Sequence, residues 1–217
     1  MDKVIGLDRF VELVEDGMTV MVGGFLACGG PNMLMDALVA KGTKDLTLIA
    51  NDMARPTVGL GQLVANRQVR KVIASHIGMN PEVAAQMNAG TLDVELVPQG
   101  TLAERIRAAG SGLGGVLTRT GLGTLVADGK PVVTVDDIDY LLETPLKADL
   151  ALISGHTVDR SGNIWYKGTA RNFNDVMALA ATTVVVEADH VVEIGAIEPE
   201  NVVTPNVLVD YVVEGKN

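Results

Sequence analysis

The stretch that decides the fold is VMVGGFLACGGP, residues 20–31. A short apolar run from Val20 to Val22 leads into a loop with two pairs of glycines and then to Pro31, which suits the first turn of a helix. The order of strand, glycine loop and helix is typical of α/β proteins. The residues alone leave two interpretations open. The loop and helix start bind an anion or a polarised carbonyl, or the loop is a tight turn without a ligand.

Outward from this stretch, the chain alternates between helical and strand patterns. Strands are predicted at residues 19–22, 46–50, 69–75, 94–97, 132–135, 150–154, 164–166 and 183–186. Helices are predicted at 7–14, 31–42, 62–66, 81–88, 101–109 and 174–181. Continuous apolar strands are typical of sheets buried on both faces. The pattern therefore predicts a three-layer α/β/α fold with a largely parallel sheet, in a single domain of residues 1–217.

Composition excludes several classes of function. The net charge of −10, without a Lys/Arg cluster, disfavours nucleic-acid binding. One cysteine, Cys28, rules out an intrachain disulfide and a cysteine-based metal site, and fits a reducing compartment. The uncharged stretch 17–35 is interrupted by glycines and Pro31, so it is not read as a membrane span, and the start of the chain lacks signal-peptide features. We expect a cytoplasmic protein without a metal or membrane contact.

Two further patterns are weak signals. Residues 110–115, GSGLGG, match G-x-G-x-x-G, but they follow a predicted helix, whereas a dinucleotide fingerprint follows a strand. We interpret them as a loop. Cys28 could act as a thiol nucleophile, but no histidine lies nearby in sequence to activate it. The histidines are too far apart in sequence for a local metal pair.

Polar side chains at the ends of strands and helices are better candidates, because ligand clefts form there in parallel α/β sheets. Gln99 follows a predicted strand, Asn172 lies just before a predicted helix, and Asn174 is the first residue of that helix. The amide of Gln99 either caps the following helix or donates a hydrogen bond to a carbonyl oxygen. Thr101 and Glu104 stand at the spacing of a capping box at the start of that helix.

Four segments carry a resemblance to a known family. Residues 16–31 run Asp16-Gly17, two residues, three apolar residues, Gly-Gly-Phe, three residues, Gly, one residue and Pro31. This resembles the signature of class I coenzyme A transferases of the α-subunit type. Residues 73–78, 97–107 and 169–174 are similar to other blocks of that family. The resemblance spans about Gly17 to Asp210 and is nearest to the acetate/acetoacetate (butyrate–acetoacetate) CoA-transferases.

The resemblance implies a ping-pong transfer of coenzyme A between a short-chain acyl-CoA (acetoacetyl-CoA, acetyl-CoA or butyryl-CoA) and a free carboxylic acid. It implies a CoA-transferase/sugar-phosphate-isomerase-like fold and a heterodimer or α2β2 assembly with a β subunit. That subunit carries the nucleophilic glutamate in a Ser/Gly-Glu-Asn-Gly motif, which is not found in this sequence. Coenzyme A is then a substrate and product, with no tightly bound cofactor.

The resemblance also suggests roles for particular residues. The residues that resemble the coenzyme A loop are Gly23, Gly24, Phe25, Leu26, Ala27, Cys28 and Gly29. Gln99 matches a glutamine near the thioester intermediate, where an amide donor would stabilise an oxyanion. Arg119 stands where relatives often carry proline, and we expect it to influence which acid is accepted.

Two alternatives share the same broad fold. A ligand-binding regulator would need a basic helix-turn-helix segment, for which residues 1–17 are too few and too acidic. A sugar-phosphate isomerase would need its own catalytic base, and no well-placed set of Asp, Glu and His stands out. The transferase α subunit is therefore the preferred hypothesis.

Overall fold

Helices and strands alternate along most of the chain in the computed structural model, which describes residues 1–26 and 28–215. The α-helices of this part are α1 (Leu7–Glu12), α2 (Asn32–Lys41), α3 (Gly61–Ala65), α4 (Pro81–Asn88), α5 (Gln99–Gly110) and α6 (Asn174–Met177). The strands are β1 (Thr19–Val22), β2 (Leu46–Asp52), β3 (Val69–His76), β4 (Asp93–Leu96), β5 (Val116–Thr118), β6 (Val132–Val135), β7 (Ile138–Glu143), β8 (Ala148–Asp159), β9 (Ile164–Trp165), β10 (Ala181–Val192) and β11 (Tyr211–Glu214).

The main sheet grows in both directions from β1. Its strand order is β11-β10-β8-β1-β2-β3-β4, and every neighbouring pair in this order is parallel. The chain adds β2 to β4 on one side of β1 and later adds β8, β10 and β11 on the other. A ligand crevice forms outside the carboxyl ends of the strands where the strand order reverses in this way. Since β1 ends at Val22, the glycine-rich stretch begins at that point.

The side chains of the sheet alternate between two cores. Val20 and Val22 face the core that packs against α1 to α4. Met21, between them, faces the core that packs against α5 and α6. Helices therefore cover both faces, which confirms the α/β/α fold class predicted from the apolar strands. Full burial of an aliphatic side chain such as Leu48 contributes about 1.5–3 kcal/mol.

Several predicted boundaries are confirmed, and others are wrong. β1, α4 and β6 have the predicted limits, and Gly42 ends α2 with a left-handed φ of 75°. The helix predicted at 174–181 is too long, because α6 ends at Met177 and Ala181 already begins β10. The long strands β8 and β10 also extend well past their apolar centres, because each pairs with the other over most of its length.

The capping box predicted for α5 is also wrong. The helix begins at Gln99 with Pro98 as its N-cap, so Thr101 lies inside the first turn. The Thr101 hydroxyl is buried and has no hydrogen-bond partner among the described residues. Proline at the cap position has a fixed φ, and this defines the start of the helix without a side-chain cap.

A small antiparallel sheet, β5-β7-β6, was not predicted. Its hairpin turns at Asp136 and Asp137, whose φ angles of 50° and 59° are the positive values that a type I′ turn requires. Glu143, 1% exposed, ends β7 and accepts a hydrogen bond of 2.6 Å from Lys130 Nζ. Its other oxygen lies 3.8 Å from Arg105 Nε on α5, so buried charges attach this sheet to the main body.

The uncharged stretch 17–35 forms β1, the glycine-rich loop and the start of α2, as expected. Within the part of the chain that the structure describes, no helix has the length and apolar character needed to cross a bilayer. The G-x-G-x-x-G pattern follows a helix, as predicted, since Gly110 is the last residue of α5.

Candidate active site

The glycine loop, residues 23–30, leaves the carboxyl end of β1 and reverses sharply. The N–H of Phe25 donates to the carbonyl of Cys28 at 3.0 Å, and the N–H of Cys28 donates back to Phe25 at 2.9 Å. Leu26 lies inside this reversal with a φ of 56°, a conformation that is costly for a residue with a side chain. Ala27, one of the predicted coenzyme A loop residues, lies outside the described residues.

Two asparagines from the segment before β10 hold the glycine loop in place. Asn172 Oδ1 accepts a hydrogen bond of 3.0 Å from the N–H of Gly24. Asn174 is fully buried, and its Nδ2 donates to the carbonyl of Gly29 at 2.8 Å while its Oδ1 accepts from the N–H of Ser154 at 3.0 Å. Both asparagines were predicted as polar residues near a cleft. The structure shows that both bind the loop and that Asn174 also connects it to β8.

Two glycines of the loop are required by close packing. A Cβ atom on Gly23 would lie 1.8 Å from Asn174 Oδ1, and one on Gly29 would lie 2.5 Å from the carbonyl oxygen of Ala170. Gly29 also has a φ of 65°. Close packing alone therefore explains why glycine occupies both positions, independently of any ligand.

The backbone N–H groups of residues 23–26 and 28 all donate to acceptors within the chain. Phe25, Leu26 and Cys28 consequently present their side chains outward, since the N–H groups of this part of the loop are already used. Phe25 is 45% exposed and Leu26 is 42% exposed. This part of the loop offers apolar surface, which suits a neutral or thioester part of a ligand better than a phosphate.

Gln99 lies at the same edge of the sheet, where the chain passes from β4 into α5. Its side chain is exposed and does not cap the helix. Gln99 Nε2 donates a hydrogen bond of 2.6 Å to Asn51 Oδ1 at the end of β2. Asn51 is 2% exposed and also accepts a hydrogen bond of 3.0 Å from Ser75 Oγ. The amide of Gln99 is therefore held by a buried neighbour while remaining open to solvent.

Sequence reasoning missed Asn51 and Asp52 altogether. Asp52 is 5% exposed and accepts hydrogen bonds of 2.8 Å from the N–H groups of Leu26 and Ala54. The signal that could have found this pair is the change from four apolar residues and one threonine to two polar residues at the end of β2. Polar side chains at that point of a fully buried strand face the carboxyl edge of the sheet.

An apolar cavity of about 230 Å³ opens beside the glycine loop. It is lined by Leu26, Ala54, Arg55 and Val58. Apolar walls with one cationic residue among them suit a short hydrocarbon chain that carries a carboxylate.

Comparisons with known proteins agree with this arrangement. The family model described as coenzyme A transferase matches residues 6–215. The chain belongs to the coenzyme A transferase family. Members of this family are enzymes that use coenzyme A as a substrate, and the preference for a transferase over a regulator or an isomerase is confirmed.

Two relatives align with this transferase chain over nearly their full length. One is the acetoacetyl-CoA:acetate/butyrate CoA transferase alpha subunit of Clostridium acetobutylicum, 52% identical over 98% of this chain and 97% of the relative. The other is the acetate CoA-transferase subunit alpha of Escherichia coli strain K12, 52% identical over 97% of this chain and 96% of the relative. Both are named as α subunits, in agreement with the predicted subunit type.

Solved structures support the fold. An acyl-CoA transferase from Escherichia coli O157:H7, in a thioester complex with CoA, superposes with a TM-score of 0.89 at 22% identity over 99% of this chain and 47% of that chain. Glutaconate coenzyme A-transferase from Acidaminococcus fermentans superposes with a TM-score of 0.86 at 20% identity, over 98% of this chain and 75% of that chain. The α/β fold of the transferase is therefore shared with both.

Other candidate groups of the transferase have simpler explanations. Cys28 is exposed, and its Sγ lies 3.8 Å from Thr169 Oγ1, which is not a base that could activate a thiol. β8 and β10 bring His156 and His190 together, with their ring centres 5.0 Å apart, although they are distant in sequence. Across residues 1–26 and 28–215, no three His, Cys, Asp or Glu side chains are placed to hold a metal ion.

Arg119 is exposed after β5, and its influence on the choice of acid stays a prediction.

Glu187 on β10 lies at the start of α2 and gives a testable pH dependence. Its Oε2 accepts a hydrogen bond of 2.9 Å from the N–H of Leu34 near the start of α2. Burial raises the pKa of the Glu187 carboxyl, although the N–H groups of Leu34 and Met33 oppose this shift. A raised folded-state pKa means that the folded transferase binds this proton more tightly than the unfolded chain does. The free energy of unfolding therefore falls as the pH rises from about 4.3 through the raised value.

We expect Glu187→Gln to be more stable than the parent at pH 7.5 and equally stable at pH 4. The glutamine stays neutral and can still accept the Leu34 hydrogen bond, and each unit of pKa shift is worth about 1.4 kcal/mol. Urea unfolding at the two pH values measures the difference. The control is Glu15→Gln, since Glu15 is exposed. An equal effect of Glu187→Gln at both pH values would contradict the assigned role of burial.

Proposed function

We propose that this chain is the α subunit of a transferase that moves coenzyme A between a short-chain acyl-CoA and a free carboxylic acid. Acetoacetyl-CoA, acetyl-CoA and butyryl-CoA are the proposed donors, in line with the names of the two relatives described above. The observation that carries the proposal is the amide of Gln99, exposed and anchored at 2.6 Å by Asn51, at the edge of the sheet where the glycine loop also lies.

The nucleophile is proposed to come from a β subunit in a heterodimer or α2β2 assembly. Asp52, at the edge beside the loop, is 5% exposed and already accepts three hydrogen bonds. Glu187 supports the start of α2 instead of pointing into the crevice. A glutamate of the partner therefore completes the site.

The chemistry proceeds in balanced steps. The partner's glutamate carboxylate attacks the thioester carbonyl, and the new C–O bond leaves a tetrahedral oxyanion. Collapse of this intermediate breaks the C–S bond, releases the CoA thiolate and leaves an acyl-glutamyl anhydride. The thiolate then attacks the glutamyl carbonyl, which releases the first acid and gives a glutamyl-CoA thioester. The carboxylate of the second acid then attacks the glutamyl-CoA thioester, and the same steps run in reverse. The CoA thiolate finally attacks the acyl carbonyl of the new anhydride, which releases the new acyl-CoA and restores the glutamate.

Gln99 acts on the oxyanion of these steps. Its Nε2 carries two N–H groups, of which one is bound to Asn51 and the other is directed to the substrate oxygen. A fixed donor at such a position contributes about 3–4 kcal/mol to the transition state in comparable enzymes. The residues 23–29 of the glycine loop are proposed to contact coenzyme A near its thioester end.

Three further properties belong to the same proposal. Residues 1–217 act as a single CoA-transferase α-subunit domain. Coenzyme A binds as a substrate, with no tightly bound cofactor. The protein works in the cytoplasm, where an exposed free thiol such as that of Cys28 stays reduced.

We expect acetoacetyl-CoA to be consumed on addition of acetate only when this chain is mixed with its β subunit. The absorbance of acetoacetyl-CoA follows the reaction, and acetate, butyrate and succinate are compared as acceptors. Activity of this chain alone would place the nucleophile here and contradict the proposal. The mixture without any acid serves as the control, because it separates transfer from thioester hydrolysis.

A further inference from the structure

Asp52 lies between the two parts of the proposed site. Its Oδ2 accepts hydrogen bonds from the N–H of Leu26 at 2.8 Å and from Asn51 Nδ2 at 2.9 Å. Its Oδ1 accepts from the N–H of Ala54 at 2.8 Å. An ionised carboxylate can only accept hydrogen bonds. Each of these three neighbours must therefore turn an N–H group toward Asp52.

This requirement fixes the orientation of the Asn51 amide. Because Asn51 Nδ2 faces Asp52, Asn51 Oδ1 faces the opposite way, toward Gln99 Nε2 at 2.6 Å and Ser75 Oγ at 3.0 Å. An oxygen at that position accepts only from the NH₂ end of the Gln99 amide. A primary amide has two N–H groups, so the second N–H of Gln99 keeps a defined direction.

We propose that Asp52 is a positioning residue that sets the direction of the hydrogen bonds linking the glycine loop to Gln99. It acts on the loop through Leu26 and on the amide of Gln99 through Asn51. Without an acceptor at position 52, Asn51 can reverse its amide and offer Nδ2 to Gln99. Gln99 would then bind through its oxygen, and its NH₂ group would leave the position of the oxyanion donor. This inference rests on the proposed role of Gln99.

The first test is Asp52→Asn, measured in the complex with the β subunit. Asparagine has nearly the same size but replaces one acceptor oxygen with a donor. We expect kcat to fall roughly tenfold to a hundredfold, less than on removal of the Gln99 amide itself. The KM for the acyl-CoA rises as well, because the N–H of Leu26 and Asn51 Nδ2 share the Oδ2 atom of Asp52, and an NH₂ group in its place removes both hydrogen bonds.

A double-mutant cycle shows whether Asp52 acts through Gln99. In a Gln99→Ala background, Asp52→Asn should lower kcat far less than it does in the parent. An equal factor in both backgrounds would overturn the proposal. If Gln99→Ala alone keeps full activity, the proposed function of Gln99 fails instead, so the two failures are distinguishable.

The second test exchanges the two residues, Asn51→Asp with Asp52→Asn. The carboxylate, now at position 51, would again offer one oxygen to Gln99 and the other to the amide at position 52, whereas Leu26 would still lack its acceptor. We expect the exchange to recover most of the kcat lost in Asp52→Asn while the KM stays raised. A kcat that remains as low as in Asp52→Asn would overturn the proposal. A role in folding alone predicts no such separation of kcat from KM.

Asp159→Asn is the matched control for stability. Asp159 is also buried, 1% exposed, and accepts hydrogen bonds from Ser161 and Asn163 in the turn after β8. We expect this variant to unfold at a lower temperature with an unchanged kcat. A kcat loss in Asp159→Asn as large as in Asp52→Asn would mean that burial of the carboxylate, and not its link to Gln99, governs turnover.

Discussion

Replacing Gln99 with alanine is expected to lower the kcat of the assembled transferase by about 10²–10³-fold. The side chain is exposed and makes one hydrogen bond, to Asn51, so its removal leaves the core intact. The acyl-CoA should still bind, because the hydrogen bond of this amide goes to Asn51, and Gln99 is not among the residues that line the apolar cavity beside the glycine loop. Steady-state rates with acetoacetyl-CoA and acetate give kcat and KM separately.

Gln62→Ala is the matched control for this experiment. Gln62 is also a helical glutamine with one side-chain hydrogen bond, from its Nε2 to Asp36 at 2.8 Å, and it lies on α3 away from Asn51. We expect the control to keep its kcat. Two results contradict the oxyanion role of Gln99. One is a kcat within twofold of the parent, and the other is a loss explained entirely by failure to associate with the β subunit, as gel filtration would show.

Asn174→Ala should destabilise the fold by about 3–5 kcal/mol, because each buried polar group left without a partner costs about 1–3 kcal/mol. The substitution removes the acceptor of the Ser154 N–H and the donor to the carbonyls of Gly29 and Ala170. A loss of this size is a large fraction of the roughly 5–15 kcal/mol that is usual for a domain. The midpoint of urea unfolding, with the slope of the transition checked for constancy, measures it.

The control for Asn174 is Asn66→Ala, at the exposed C-terminal end of α3. A surface change of this kind is expected to stay within about 0.5 kcal/mol. If Asn174→Ala also stays within that range, water replaces the lost hydrogen bonds and the loop does not depend on Asn174. A stable but inactive Asn174→Ala would likewise show that its contribution is to the site and not to the fold.

The fold was accessible from the sequence because its strands are buried on both faces. A strand such as β1, with Val20 and Val22 in one core and Met21 in the other, is apolar throughout, and this feature is visible without the structure. The small antiparallel sheet was missed for the converse reason. Of its strands only β6 was predicted, because β5 has three residues and β7 mixes apolar with charged and exposed residues, so no apolar run marks either of them.

The site was predicted in outline only. Gln99 and the glycines stood out as residue types in a loop or at a strand end, but their partners did not. Asp52 contacts Leu26, which is 26 positions away in the sequence, and Asn174 contacts Gly29, which is 145 positions away. Local spacing cannot reveal such contacts. His156 and His190 show the same limit, since parallel pairing of β8 and β10 brings together residues that the sequence separates.

The hydrogen bonds of the glycine loop to Asn172 and Asn174 affect the order in which the parts of the chain fold. Gly24 and Asn172 are 148 positions apart in the sequence, and Gly29 and Asn174 are 145 positions apart. β1 also pairs with β8, which is made much later than β1. Closing chain segments of that length is a late event in folding, since its entropic cost is met only once much of the core exists. During synthesis, the first half of the protein therefore leaves the ribosome without a formed loop, and a binding-competent surface arises only after the chain has been made through Asn174, about four-fifths of its length.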